Sequence, residues 1–338
     1  MRFLVIPAAM LLAAAQSHCA AYAGFATGTD SGVAASARLY DSATLTAPVD
    51  ATPFAAFSGG ARVASGDINA DGQPDLIVGA GPGGSPEVRI FSGRSGVLLD
   101  DYFAFAPSFT GGIFVAAGDV DGDGHADVIA ATDAGGGPHV IVFSGKDRSV
   151  LYSFYAFPVG FTGGVRVAAG DVNGDGKADI IVGQGPGGTP QVRVFDGATG
   201  ALIDDFLAFP STFPGGIHVA AADLDGDGKA DIIVAADEGG TPAVKVFRGG
   251  DDLLLHNFNA FDAGFGGGVR VGAGDIDGTG ANEIVVAQGN GGGQLKVLNG
   301  STLAVVHDFS PFGVAYNHGL FVAGPAPGDA IFGDGFQP

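Results

Sequence analysis

The chain has almost no sulfur chemistry and no tryptophan: one cysteine and two methionines among 338 residues. Cys19 lies near the start, so a chain processed beyond it has neither a thiol nor a disulfide and must gain its stability elsewhere. Positive charge is also scarce. Fifteen Lys and Arg stand against 36 Asp and Glu, a formal net charge of −21. Such acidity argues against nucleic acid or an anionic membrane as partner, because phosphate binding needs a basic footprint. Glutamate occurs only as Glu87, Glu238 and Glu283, and no window sustains a helical apolar period. The histidines beyond the leader (His125, His139, His218, His256, His307, His318) do not form a ligand-spaced set, and no nucleophile elbow is present, so no catalytic constellation is legible. Long apolar runs are limited to Phe3–Ala15, which follows Arg2 and precedes Ala21-Tyr22-Ala23. That pattern predicts a secretory leader at 1–23, too short to span about 30 Å of hydrocarbon, and Gln16-Ser17-His18 ahead of Cys19 is a poor lipoprotein signal.

What the chain has in abundance is glycine (61), phenylalanine (26), and a nine-residue acidic loop repeated at a spacing of 52 residues. The loops read DINADGQPD, DVDGDGHAD, DVNGDGKAD, DLDGDGKAD and DIDGTGANE, beginning at Asp67, Asp119, Asp171, Asp223 and Asp275. They hold 17 of the 36 acidic residues. A fixed period of this size marks a repeat architecture, in which each unit buries its apolar faces against its neighbours.

The third unit reads as four short strands: VRVAAG before the loop, Ala178–Gly183, Gln191–Phe195 and Leu202–Phe209, with turns QGPGGTP and DGATG between them. An antiparallel meander of about 50 residues is a propeller blade. Its first two strands need not alternate, since both faces are covered in a ring. Phe105/Phe109, Phe157/Phe161, Phe209/Phe213 and Phe261/Phe265 recur at the ends of the fourth strands and are expected to fill the gaps between blades. The units fall at 59–110, 111–162, 163–214, 215–266 and 267–318. The flanks, 24–58 and 319–338, read as two halves of a sixth. Ala37–Asp41 resembles a third strand, Pro53–Phe57 the end of a fourth, Gly319–Ala323 a first, and Asp329–Phe332 a truncated second. Joined, they predict an all-β, six-bladed ring with no exposed edge at the seam; the alternative is five repeats with frayed ends.

The loop spacing D-x-[DN]-x-D-G-x-x-[DE] brings oxygen donors together in a tight turn, with Gly at position six allowing the reversal and the position-seven carbonyl adding a ligand. Six to eight oxygens suit calcium better than magnesium. The candidate metal side chains are Asp67, Asn69, Asp71 and Asp75; Asp119, Asp121, Asp123 and Asp127; Asp171, Asn173, Asp175 and Asp179; Asp223, Asp225, Asp227 and Asp231; and Asp275, Asp277, Thr279 and Glu283. An EF-hand would need Glu at position twelve, where the third loop has Val182. The competing reading is an Asx-rich hairpin without metal, but the crowded carboxylates would then repel one another. Thr279 and Glu283 make the fifth loop the expected weakest site. Five calcium ions would reduce the formal charge to −11 and replace the missing disulfides as staples.

These loops resemble the FG-GAP/VCBS repeats of integrin-α-type β-propellers, a resemblance that covers nearly all of the chain beyond the leader. It implies calcium on the lower face, in the loop joining the first two strands of a blade, with ligands on the opposite face or in clefts between blades. The expected six blades depart from the seven of integrin-type propellers, so an integrin-like ligand does not transfer. One polar series lies opposite the metals: the second residue after each Gly-Gly pair is Arg62, Phe114, Arg166, His218, Arg270 and, by alignment, Phe321. Arg62, Arg166, His218 and Arg270 are candidates for holding an anionic glycan; the alternative is that they pair with local aspartates such as Asp205. The expectation is therefore a secreted, monomeric, non-catalytic module for a glycan or extracellular protein. The alternatives are a propeller polysaccharide lyase or hydrolase and a structural surface protein.

Overall fold

The computed structural model describes residues 24–326. The predicted leader and the strand expected at 329–332 lie outside the described residues. Six sheets, each of four antiparallel strands, make up the molecule, and no helix occurs among the described residues. Each innermost strand packs against the innermost strands of both neighbouring sheets, the last against the first, so the sheets close into a six-bladed β-propeller. The open five-repeat alternative is excluded.

Blade three consists of Val165–Gly170, Asp179–Gln184, Gln191–Phe195 and Leu202–Leu207, with Val165 opposite Gln184 and Gly170 opposite Asp179. Every residue of its two inner strands is buried, the third strand alternates, and the outer strand is largely exposed. This gradient is the physical source of the sequence pattern: continuous Val, Ile and Ala inside, alternation outside. The Phe pairs pack as expected, with ring centroids 6.4, 6.4, 6.0 and 6.0 Å apart, and Phe312 with Tyr316 (5.3 Å) supplies the equivalent in blade five. The Gly-Gly pair that follows is required by both its members. A Cβ on Gly163 would overlap the Phe161 ring and the Pro186 carbonyl, and Gly164 has φ of +72°.

The seam corrects the expected two-plus-two division. The C-terminal side contributes one strand, Leu320–Ala323, and the N-terminal side contributes three: Gly24–Thr29, Ala37–Asp41 and Thr46–Ala51. The second position belongs to Gly24–Thr29, paired with Leu320–Ala323 on one side and Ala37–Asp41 on the other. GFATGT carries little strand signal because small residues replace the usual Val and Ile; the neighbouring backbone comes so close that a Cβ on Gly28 would overlap the Ala61 carbonyl. Pro53–Phe57 follows the fourth strand as its end: Pro53 cannot donate to a ladder, and Phe54 and Phe57 form an edge-to-face pair (5.7 Å), the counterpart of the aromatic pairs that end the other blades.

Candidate metal centres and the channel mouth

Each acidic loop links the first two strands of its blade, and its first carboxylate organises the turn. In loop two, Asp119 Oδ1 accepts from the Gly122 and Asp123 N–H groups (2.7 and 3.0 Å) and Oδ2 from Gly124 (2.9 Å). The position-three carboxylate of Asp121 accepts from the Asp123 N–H (3.1 Å), and that of Asp123 from the His125 N–H (3.0 Å). Glycine permits the geometry: Gly122 and Gly124 have φ of +78° and +86°. The same bonds recur in the other loops, including Gly72 to Asp67 (2.7 Å) and Asp71 to Asn69 (2.9 Å), Gly176 to Asp171 (2.7 Å), Gly228 to Asp223 (2.9 Å) and Gly280 to Asp275 (3.0 Å).

Position nine behaves differently. Asp75, Asp127, Asp179 and Asp231 are fully buried and Glu283 nearly so. Asp127 Oδ2 accepts from the Val120 N–H (2.8 Å) and Oδ1 from Gly145 (3.0 Å), which opens the turn between the third and fourth strands. Asp75, Asp179 and Asp231 make the same two bonds, to Ile68 and Gly93, Val172 and Gly197, and Leu224 and Gly249. This carboxylate thus latches both turns at one end of its blade. Burial, only partly offset by these N–H donors, pushes the four aspartates up to about 6; burial and the charge of Asp277 push Glu283 up to about 7.

Carboxylate oxygens of positions one, three and nine lie within 4.8 Å of one another in three loops: Asp119, Asp121 and Asp127; Asp223, Asp225 and Asp231; Asp275, Asp277 and Glu283. The position-five side chains Asp123 and Asp227 are not members of these groups; Asp123 instead pairs with Lys146 at 3.2 Å. In loops one and three the third position is an amide. Asn173 Nδ2 donates to Asp179 (3.2 Å) and to Asp196 (3.1 Å). The donor sets fit a hard cation: all are oxygens, a buried carboxylate with a raised pKa sits in each, and Asp275 Oδ1 is buried without a hydrogen-bond partner. Loop five, the expected weakest, is therefore one of the three that assemble a full carboxylate triad.

Adjacent loops also touch. The Ala126, Ala178 and Ala230 N–H groups donate to the position-one carbonyls of the preceding loops, Asp67, Asp119 and Asp171 (2.9, 2.9 and 2.7 Å), and Lys177 Nζ donates to the Asp121 carbonyl (2.8 Å).

At the other end, the series Arg62, Phe114, Arg166, His218, Arg270 and Phe321 converges on the mouth of the central channel, and all six are buried. The arginines pair with aspartates, though not with Asp205, which pairs with Arg193 (3.1 Å). Arg62 meets Asp133 at 3.2 Å; Arg166 meets Asp133 at 3.8 Å and Asp237 at 3.4 Å; Arg270 meets Asp237 at 2.7 Å and Asp30 at 3.6 Å. Burial would raise the Asp237 carboxyl, but Arg270, His218 and Arg166 hold it well below the usual range. Burial and Arg270 push His218 down to about 3, so it is neutral at pH 7. Below the mouth the channel is lined by Val63, Val115, Val167 and their equivalents, then by Ala and Gly.

No helix among the described residues is long and apolar enough to cross a membrane. The FG-GAP-like repeat family matches residues 67–130, 119–182 and 171–234, each span starting at the first aspartate of a loop. Integrin alpha pat-2 of Caenorhabditis elegans is 29% identical over 239 residues, 59% of this chain and 19% of that protein. Integrin alpha-V of Gallus gallus is 32% identical over 157 residues, 40% of this chain and 15% of that protein. The matches therefore span less than a fifth of either relative. A solved structure, a protein of unknown function from Bacteroides caccae, aligns with a TM-score of 0.57 at 14% identity, over 89% of this chain and 98% of that one, a likeness of fold alone. With its acidic loops at 52-residue spacing, four-stranded blades and family match, the chain belongs to the FG-GAP repeat proteins.

Proposed function

We propose that this protein is an exported, calcium-stapled, non-catalytic binding module for a glycan or an extracellular protein. The observation that carries the calcium reading is the buried position-nine carboxylate, raised to about 6 or 7 in all five loops beside the position-one aspartate. A bound divalent cation would supply the opposite charge that favours the ionised form. The side chains at positions one, three and nine would hold it, with position five and the position-seven carbonyl completing the oxygen shell. Calcium suits such a set because it takes six to eight oxygens in a flexible arrangement. Export is supported by the basic start, the apolar run Phe3–Ala15 and the small-residue site Ala21-Tyr22-Ala23.

The binding role rests on the relatives and on the two-faced architecture. The metal loops occupy one face, leaving the glycine-rich second–third turns and the clefts between blades for a partner. The buried, aspartate-paired arginines at the mouth do not support a ligand site there. The test is a glycan array and an extracellular-protein panel probed in calcium and in chelator. Calcium-dependent capture of one ligand class supports the reading. Product release from a polysaccharide panel, or no capture at all, would replace it with a lyase or a structural role respectively.

A further inference from the structure

The mouth residues alternate with a period of two blades, which the 52-residue repeat conceals. Blades one, three and five carry Arg62, Arg166 and Arg270 as the second residue of their inner strands, and follow their second strands with Gly81, Gly185 and Gly289. Blades two and four and the closing blade have Phe114, His218 and Phe321 at the first of these positions and Asp133, Asp237 and Asp30 at the second. In the arginine blades this second position is held to glycine: a Cβ on Gly81, Gly185 or Gly289 would overlap the carbonyl of Gly59, Gly163 or Gly267 and come up against the guanidinium of the same blade's arginine.

The charges consequently run around the channel as Arg62, Asp133, Arg166, Asp237, Arg270 and Asp30, one from each blade. Five successive links are ion pairs between blades, and Asp30 also acts electrostatically on Arg62, closing the circle. Inside it the three rings of the other blades cluster: Phe114 to His218 at 5.8 Å, Phe114 to Phe321 at 5.9 Å and His218 to Phe321 at 6.4 Å. The guanidiniums stack on these rings, Arg62 over Phe321 (4.6 Å) and Phe114 (5.2 Å), Arg166 over Phe114 (4.8 Å) and Arg270 over Phe321 (5.2 Å). With His218 neutral, three positive charges meet three negative ones, and the plug carries no net charge.

We propose that the structural unit is a pair of blades, present as 59–162, 163–266 and blade five with the closing blade, and that the alternating ring is a clasp that enforces blade order and an even blade count and closes the seam. The energetic logic is that of buried charge: each ion is tolerated only between two opposite ones, and two like blades side by side would leave adjacent uncompensated charges. An odd number of blades cannot satisfy that rule. The seam is included, because Arg270 of blade five pairs with Asp30 of the closing blade, whose inner strand comes from the other end of the chain. The inference is independent of calcium, so the tests are run at constant millimolar calcium.

Two exchanges in the full chain separate a two-blade unit from a one-blade unit. Exchanging blade two with blade four (111–162 with 215–266) rebuilds four blade interfaces but preserves alternation. Exchanging blade two with blade three (111–162 with 163–214) rebuilds only three and breaks it. We expect the first to retain one cooperative melting transition and the second to melt lower or fail to fold. Equal behaviour of the two, including failure of both, or a higher melting point for the second, overturns the two-blade unit. At the seam, a denaturation cycle with Arg270→Met, Asp30→Asn and the pair should show the double variant at least about tenfold less destabilised than the product of the single effects. Multiplicative single effects overturn the clasp.

Discussion

The two ends of the propeller treat buried carboxylates in opposite ways. At the mouth, Asp237 lies among Arg166, His218 and Arg270, and its carboxyl is held well below the usual range. At the loop end, Asp127 is just as buried but has only backbone N–H donors and other carboxylates nearby, and is pushed up to about 6. One end neutralises its charge within the chain. The other leaves it without a positive partner from the chain, a charge that a bound cation would balance under the proposed function. The difference teaches that burial alone does not set the state of a carboxylate; the sign of its neighbours does.

The first way to break this comparison is to remove the cation. If each loop binds as an extracellular module does, with Kd of about 10⁻⁴–10⁻³ M, millimolar calcium contributes roughly 0.4–1.4 kcal/mol per site, or about 2–7 kcal/mol over five. Excess chelator should lower the melting temperature accordingly, and an unchanged calorimetric scan would refute calcium as a staple. Asp237→Asn attacks the other end. Leaving two buried arginines short of their shared counter-ion should cost about 3–5 kcal/mol in urea unfolding, in calcium and chelator alike.

A pH series sharpens the contrast. In chelator the position-nine groups titrate at about 6 to 7 in the folded protein, against about 4 when unfolded. The folded state therefore binds more protons in this window, so their contribution to stability is greatest at low pH and is lost as pH rises from about 4 to 7. Calcium favours the ionised form and should bind more weakly as pH falls through the same window. Isothermal titration at pH 7 and pH 5 checks the sign. A smaller effect, about 1–3 kcal/mol, is expected for Gly185→Ala, whose Cβ would overlap the Arg166 guanidinium and the Gly163 carbonyl. Smallest is Thr279→Asp, which supplies loop five with the missing position-five carboxylate and should add about 0.5 kcal/mol in calcium, and nothing in chelator.

Much of this was legible in the chain. The inner strands of blade three were readable because Val, Ile and Ala run continuously where both faces are covered. The acidic loops were readable because a tight turn needs Gly and Asx at set positions. The strand Gly24–Thr29 was not, since apart from Phe25 its buried positions are Gly, Ala and Thr, which carry no strand pattern. Position nine was assigned to the metal but not as the latch onto Gly145, because that partner is 18 residues away. The alternation of Gly81, Asp133, Gly185 and Asp237 was present in the sequence, but its meaning was hidden: Arg62 and Asp133 are 71 residues apart.

Local chemistry repeated at 52 residues was enough to determine the blade, its turns and its acidic loops, because strand pattern and turn stereochemistry act within a few residues. Ring closure by one strand and three, and the pairing of mouth charges between blades, were decided only by the tertiary structure. Those interactions join residues that become neighbours when the ring shuts, and nothing local in the chain encodes which partner a buried charge will meet.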